Sequence, residues 1–226
     1  GKLNNSLVLL RRRVFQKRSA ALLKGIVGIR GILRRVPAAA DLEELRGHEG
    51  AAANFYFKAF GRMILQPGFP FEKRTRRPPL DRTNALLSFC YTLLNNTIQS
   101  IVSSSGLDPY YGVFHQPEYG RPSLGLDLME EFRPVVADIL VLGLINRGIV
   151  RPADFIEEEG SELPVRMTLL AMKKVILHYE RRLQQDTYLA ELGKTLSYLQ
   201  IIQHQFFLLQ RHVTGDGEYT PFLMRR

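Results

Sequence analysis

The amino-acid sequence predicts an all-α fold, a multi-helix, bundle-like domain with at most one small hairpin. Apolar side chains recur at helical spacing along most of the 226 residues, and proline or glycine separates the periodic segments. The sequence contains neither a Gly-rich dinucleotide fingerprint nor a P-loop, so nothing indicates a nucleotide-binding α/β domain. Because a chain of this length can bury one substantial core, we treat residues 1–226 as a single helical domain.

The first two predicted helical regions mix apolar and basic residues. Residues 5–36 place leucine, isoleucine and valine at close to helical spacing among many arginines and lysines, and Pro37 ends this helix. Its basic face contacts either solvent or a phosphate backbone. Residues 38–64 predict a short helix, a joint at Gly47 and a second helix that begins near Glu49, where the helix dipole favours a carboxylate.

The middle of the chain combines a loop rich in proline and arginine with a strongly apolar helix. Residues 65–83 contain adjacent prolines, which cannot continue a helix. Asp81 or Thr83 can cap the following helix, residues 84–104, through a side-chain oxygen. This helix is apolar on much of its circumference, so we expect it at the centre of the core.

The last part of the chain predicts three helices and one hairpin. The first helix has Ser123 as its N-cap and runs to about Asn146. A small hairpin or irregular segment surrounds Gly160. Two further helices cover roughly residues 165–185 and 187–212.

Charge and cysteine content restrict the class of protein. The formal net charge is +9, which attracts phosphate polyanions such as nucleic acid, although a merely soluble basic protein would carry the same charge. Cys90 is the single cysteine, which excludes an internal disulfide framework and a Cys-x-x-Cys zinc site and suits a reducing compartment. We find no signal-peptide pattern and no apolar run of membrane-spanning length, so we expect no membrane partner.

Three acidic residues, Asp127, Glu130 and Glu131, lie in the first turns of the apolar helix that begins at Ser123. Asp127 lies three residues before Glu130 and four before Glu131, so either pair shares a helix face. Because the helix continues into a core, an unpaired carboxylate there would cost several kcal/mol or take up a proton. A bound divalent cation would neutralise such a carboxylate, which avoids both the energetic cost and the protonation. Spacing alone does not choose between Glu130 and Glu131.

A histidine on the loop before this helix adds a possible ligand. His115 could fold back over the first helical turn, and carboxylates with one histidine suit Mg²⁺ or Mn²⁺ better than a structural zinc. The alternative interpretation is simpler. Carboxylates in a first helical turn are common partners of the helix dipole, and a single loop histidine is usually a surface residue.

Four ordered segments carry a resemblance to a known family. The segment "GVFHQPEYGRPSLGLDLMEEFRP", residues 112–134, resembles the signature of the CRISPR-associated integrase of the adaptation module, also called CRISPR-associated protein one. Three other segments resemble that family in the same order: "GKLNNSLVLLRR", "LRGHEGAAANFYF" and "RRPPLDRTNALLSFCYTLL". The resemblance covers nearly the whole chain. Nothing resembles the family's small N-terminal β-domain, which we expect to be absent or truncated.

The resemblance implies a site and an activity. It implies Glu49, His115 and Glu130 as ligands of Mg²⁺ or Mn²⁺, with Asp127 as a supporting acid in the catalytic group. The implied enzyme is a divalent-metal-dependent DNA nuclease and integrase. It inserts short foreign duplexes, the spacers, into a CRISPR array when a DNA 3′-hydroxyl attacks a phosphodiester, and the ion activates that hydroxyl and stabilises the developing charge.

The resemblance also implies partners and a location. The partners are double-stranded DNA (the spacer precursor and the CRISPR repeat) and a small ferredoxin-fold adaptation protein. We expect a homodimer of the full-length protein, because the family dimerises through its N-terminal domain. The expected location is the cytoplasm of a prokaryote.

Basic residues near the predicted site are candidates for DNA contacts. We expect the following arginines to contact phosphates, which would position a duplex without reading its sequence: Arg74, Arg76, Arg77, Arg82 and Arg121. Arg133 is ambiguous, because on an inward-facing helix it could pair with Glu130 or Glu131 instead.

Two rival interpretations stay open at the level of sequence. A non-enzymatic, basic helical DNA-binding scaffold explains the charge equally well, but it does not explain why three predicted ligands each lie in a family-like motif. A helical carboxylate-bridged redox protein would need Glu-x-x-His pairs on its helices, and the sequence contains none.

Overall fold

The computed structural model is helical along most of the chain. It describes residues 1–16, 19–104, 107–110, 112, 114–115 and 122–224. The α-helices in this part of the chain are α1 (Lys2–Gln16), α2 (Ala20–Leu33), α3 (Leu42–Gly61), α4 (Arg82–Ser103), α5 (Ser123–Phe132), α6 (Ile139–Asn146), α7 (Leu169–Leu183) and α8 (Tyr198–Val213). The strands are β1 (Phe155–Glu157), β2 (Val165–Met167), β3 (Asp186–Leu189) and β4 (Lys194–Ser197). The all-α prediction is confirmed.

The strands form two small antiparallel hairpins, one more than the sequence predicted. The pair β1–β2 is the hairpin expected around Gly160. The pair β3–β4 was not predicted and lies in the region expected to be helical from residue 187. Gly193 turns this hairpin with φ +61°, a conformation that favours glycine. Helix α8 begins only after Ser197, whose side chain and Gln200 form a reciprocal capping box.

The N-terminal helices differ from the prediction in their breaks. The predicted helix over residues 5–36 is two helices, because Ser19 adopts an extended conformation between α1 and α2. Conversely, α3 continues straight through Gly47, so the predicted joint there is wrong. A glycine inside a helix costs only about 1 kcal/mol, which the packing of α3 against α2 can offset. Glu49 therefore lies well inside a helix, and the dipole of a helix start does not explain its position.

Helix α4 is the centre of the core, as its apolar circumference predicted. It packs against α5, α6, α7 and α8, and its side chains Leu86, Leu94 and Ile98 have no exposed surface. Asp81 is its N-cap and accepts a hydrogen bond from the Asn84 amide at 2.7 Å. In the described part of the chain, no helix is both long and apolar enough to cross a membrane.

Helices α5 and α6 are joined by a π-helical segment into one continuous helical run. The sequence places a single helix over this stretch, and the structure inserts a π-helical segment at Arg133–Asp138. Pro134 supplies the reason, because a proline ring clashes with the carbonyl one turn earlier and lacks an N–H donor. Opening the turn to π geometry relieves both constraints. Gly148, with φ +66°, follows the end of α6.

The π-helical segment ends at a fully buried carboxylate. Asp138 accepts hydrogen bonds from the hydroxyl groups of Tyr56 on α3 and Tyr91 on α4, both at 2.6 Å. Burial raises the pKa of the Asp138 carboxyl to about 6, although the two hydrogen bonds and the nearby arginines oppose the shift. This residue joins three helices at one point in the core.

The Asp138 carboxyl makes the stability of the protein depend on pH in a defined direction. Its pKa is about 6 in the folded state against an ordinary 3.8, so the folded protein binds this proton more tightly than the unfolded chain. The resulting stabilisation is complete below about pH 4 and is lost as the pH rises through 6, by on the order of 3 kcal/mol. We expect the unfolding free energy of the wild type, relative to Asp138→Asn, to fall across this window in urea denaturation.

Other titrating groups cancel in this comparison, because both proteins contain them. A difference between the two proteins that stays constant from pH 4 to pH 7 would show that Asp138 is ionised in the folded state throughout.

Candidate active site

Two carboxylates from different helices converge on one ammonium group. The Nζ atom of Lys2, at the start of α1, contacts the Oε1 atom of Glu49 on α3 and lies 2.5 Å from Oε2 of Glu130 on α5. The exposed fractions of these side chains are 20% for Lys2, 29% for Glu49 and 12% for Glu130. A cation therefore occupies the space between the two predicted ligands that belong to helices.

Glu130 is held from its other side by an arginine. Arg133 Nη1 lies 2.6 Å from Glu130 Oε1, one helical turn away, and the guanidinium also lies 4.8 Å from the centroid of the Tyr91 ring. Burial alone would raise the pKa of the Glu130 carboxyl, but the charges of Lys2 and Arg133 outweigh it and the pKa is lowered. Glu130 is therefore a buried carboxylate that stays ionised at neutral pH.

The predicted histidine is oriented by Asp127. The Nδ1 atom of His115 lies 2.6 Å from Asp127 Oδ1, and the backbone amides of Phe114 and His115 donate to the two oxygens of that carboxylate at 2.9 Å. Because Nδ1 is paired with Asp127, the other ring nitrogen, Nε2, is the atom that could bind a metal ion. A carboxylate behind a histidine in this way is a common support for a metal-binding imidazole.

A cavity of about 400 Å³ opens beside these groups. Its lining includes Lys2, Glu49, Asp127, Glu130 and Phe114. Within the described residues, no three histidine, cysteine, aspartate or glutamate side chains lie close enough together to form a complete metal centre. The donor chemistry nevertheless fits a hard divalent ion, because two carboxylates already share one cation. That cation is the Lys2 ammonium.

The structure separates the two adjacent glutamates that spacing could not distinguish. Glu131 lines the same cavity but accepts hydrogen bonds from the Tyr219 hydroxyl and, at 2.8 Å, from the Phe222 amide. Burial raises the pKa of the Glu131 carboxyl to about 7. Glu130 contacts the Lys2 ammonium, whereas Glu131 binds the C-terminal tail, the segment after α8. The choice of Glu130 as a metal ligand stays a prediction.

Comparison with known proteins decides the family. The family model described as "CRISPR associated protein Cas1" matches residues 1–181. The chain belongs to the Cas1 family. It is 42% identical over 233 residues to "CRISPR-associated endonuclease Cas1 1" of Chlorobaculum tepidum, an alignment that covers 100% of this chain and 67% of that protein.

Solved structures agree with this assignment. A Cas1 protein from Thermotoga maritima superimposes with a TM-score of 0.79 at 26% identity, covering 95% of this chain and 64% of that one. A chain of a Cas6-RT-Cas1–Cas2 complex superimposes with a TM-score of 0.81 at 25% identity, covering 100% of this chain and 25% of that one. The chain spans about two thirds of the length of the Chlorobaculum and Thermotoga proteins.

The sequence alone assigns no role to Lys2 and leaves that of Arg133 open. Lys2 lies in the segment "GKLNNSLVLLRR" that resembles the Cas1 family, but its partners come from α3 and α5, far away in sequence. No local pattern could reveal that contact. The ion pair of Arg133 with Glu130 could be predicted, because Arg133 lies three residues after Glu130 and residues at that spacing are neighbours on a helix.

The predicted phosphate-binding arginines of this Cas1 chain differ in their surroundings. Arg74 is partly buried and donates to Asn84 at 2.8 Å and to Ser88 at 2.9 Å. Arg82 pairs with Glu157 at 2.6 Å and also donates to a backbone carbonyl. Arg76 and Arg77 are exposed. The fifth predicted arginine, Arg121, lies outside the described residues.

We expect a large loss of stability when the ion pair between Arg133 and Glu130 is broken. Both side chains are mostly buried, with exposed fractions of 14% and 12%. Arg133→Met removes one of the two cations beside a buried carboxylate, and we expect the unfolding free energy to fall by about 3 kcal/mol in urea denaturation.

The matched control is the exposed pair between Arg166 and Glu158, whose side chains are about half exposed. Arg166→Met should cost less than about 1 kcal/mol, because solvent screens an exposed ion pair. Equal losses for the two variants would show that Arg133 does not stabilise a buried charge.

Proposed function

We propose that this chain is the helical catalytic part of a Cas1 integrase, a DNA endonuclease that joins a DNA 3′-hydroxyl to a phosphodiester with the help of Mg²⁺ or Mn²⁺. The observation that carries the proposal is the convergence of Glu49 and Glu130 on one cation, next to a histidine that Asp127 orients. A scaffold that only binds DNA has no need for two helical carboxylates that share a cation at a cavity.

Each residue of the site has a distinct role in this proposal. Glu49, Glu130 and His115 Nε2 would hold the ion, which supplies positive charge to the transition state and lowers the pKa of the attacking hydroxyl. Asp127 fixes the ring of His115 and occupies its Nδ1 atom. Arg133 keeps Glu130 ionised and fixes its orientation. The protein itself needs no nucleophile, because the DNA hydroxyl attacks.

The substrate in this proposal is double-stranded DNA. The net charge of +9 supports it, because cationic surfaces gain affinity for duplexes by releasing condensed counterions. Exposed Arg76 and Arg77 are the strongest candidates for phosphate contacts among the described arginines of the loop. Arg74 and Arg82 have partners within the chain, so their first role is to hold this loop against α4 and β1.

The proposed partners follow from the family. A chain similar to this one was solved in a complex that contains Cas2. We propose the same kind of partnership here, with a small ferredoxin-fold adaptation protein, and a homodimer of the full-length protein. Integration into a CRISPR array would take place in the cytoplasm of a prokaryote, where the chromosome lies.

The adjacent glutamates provide a sharp test of the catalytic proposal. Strand transfer of a short duplex into a supercoiled plasmid should proceed with Mn²⁺ or Mg²⁺ and stop with EDTA. Glu130→Gln removes one charge from the proposed ligand set, and we expect at least about a hundredfold loss of joined product.

Glu131→Gln is the matched control, because it makes the same chemical change at the neighbouring residue, which faces the C-terminal tail. It should keep activity within a few-fold of the wild type. Activity that survives Glu130→Gln and is lost in Glu131→Gln would reverse the ligand assignment. DNA binding without metal-dependent joining in the wild type would favour the non-enzymatic scaffold.

The exposed arginines should determine the salt dependence of DNA binding. Each phosphate contact contributes about 0.9 to the slope of log affinity against log salt, so Arg76→Ala with Arg77→Ala should lower the slope by about 2. Fluorescence anisotropy with a labelled duplex at several salt concentrations measures this slope. Arg166→Ala, which removes an arginine that is paired on a hairpin, should change it little. Equal slopes for all three proteins would exclude a phosphate role for the loop arginines.

A further inference from the structure

The position of Lys2 in the site raises a question that the proposed chemistry does not answer. Its ammonium contacts Glu49 and lies 2.5 Å from Glu130, so it occupies the space between two proposed metal ligands. An ion bound to the same two oxygens would be an immediate neighbour of Nζ. Two cations at such a separation repel strongly in a site that is partly shielded from water.

We propose that Lys2 is an internal competitor of the divalent ion, which must displace the Lys2 ammonium from Glu49 and Glu130 in order to bind. This inference rests on the proposed function, because it assumes that the ion takes these two carboxylates. Lys2 is then a residue that sets the metal affinity of the site. It also holds the two ligands together before the ion arrives.

The two oxygens of Glu130 contact two different cations. Oε2, which is buried, forms the ion pair with Lys2, and this is the contact that a divalent ion would replace. Arg133, on the opposite oxygen, keeps Glu130 in place when Lys2 leaves.

The surroundings give the lysine side chain a place to move. Lys2 is part of the lining of the cavity of about 400 Å³ beside the site, together with apolar residues such as Leu33 and Leu45. The aliphatic stem of a lysine packs readily on such a wall while its ammonium turns toward water. Displacement therefore needs a change of side-chain rotamers and no movement of α1.

The binding of Mn²⁺ alone tests this inference without any DNA. If Lys2 occupies the carboxylates about nine tenths of the time, the apparent affinity of the wild type is about tenfold weaker than that of a site without the lysine. We therefore expect Lys2→Met to bind Mn²⁺ about tenfold more tightly than the wild type. The loss of free Mn²⁺ signal in electron paramagnetic resonance measures both affinities.

Two controls separate competition from a general effect of charge. Lys58→Met removes the same charge from an exposed lysine further along α3 and should leave the affinity at the wild-type value. Lys2→Arg keeps a cation in the site and should not reach the affinity of Lys2→Met. Equal tightening in Lys58→Met and Lys2→Met would overturn the inference, because a general loss of positive charge would then explain the result.

Thermal unfolding midpoints with and without Mn²⁺ show whether a folding defect of Lys2→Met affects the comparison. Lys2→Met leaves Glu49 and Glu130 facing each other, so its unfolding midpoint without metal should lie below that of the wild type. Mn²⁺ should raise the midpoint of Lys2→Met by more than that of the wild type, since at a given ligand concentration tighter binding stabilises the folded state more. An equal or smaller rise would overturn the inference.

Failure of this inference and failure of the proposed function give different results. If Lys2 does not compete, the wild type binds Mn²⁺ and Lys2→Met binds it no more tightly. If the site is not a metal site, neither the wild type nor Lys2→Met binds Mn²⁺, and both proposals are overturned. Binding in Lys2→Met that disappears when Glu130→Gln is added supports competition at this site.

Discussion

The structure depends on satisfying three carboxylates that lie along one buried helical run. Glu130, Glu131 and Asp138 are all almost completely buried, and an unpartnered carboxylate in such a place would be strongly destabilising. Each one is satisfied by groups from other parts of the chain or from the next helical turn. The partners are Lys2 and Arg133 for Glu130, the Tyr219 hydroxyl and Phe222 amide for Glu131, and Tyr56 and Tyr91 for Asp138. These contacts assemble the core, and those of Glu130 also position the candidate site.

The location of Lys2 follows from a second polar anchor one turn later. Buried Asn5 donates from Nδ2 to the carbonyls of Glu131 at 2.9 Å and Phe222 at 3.0 Å, and its Oδ1 accepts from the Met224 amide at 2.7 Å. These bonds fix α1 against α5 and the C-terminal tail. Because the backbone is already ordered, Lys2 has only side-chain entropy to lose when it bridges two carboxylates.

The parts of the fold that could be predicted from the sequence are those set by local chemistry. Asp81 caps α4 because its side chain accepts a hydrogen bond from an amide three residues away. The proline boundary before α5 could also be predicted, but the N-cap is Pro122 and Ser123 is the first helical residue, so the expected Ser123 cap is wrong. The continuity of α3 through Gly47 could not be predicted, because tertiary packing outweighs the small intrinsic cost of a helical glycine. The contact of Lys2 with Glu49 could not be predicted either, since it joins residues that only the folded helices bring together.

The charge balance of the candidate site would connect the proposed metal binding to the proposed DNA binding. In the resting arrangement, Lys2 and Arg133 face the carboxylates of Glu49 and Glu130, so two positive groups meet two negative ones. Replacing the Lys2 ammonium by a divalent ion adds one positive charge to a partly buried site, which is unfavourable by itself. If the proposed function holds, a bound phosphodiester would bring one negative charge and restore the balance. The proposed ion and the DNA would then favour each other's binding.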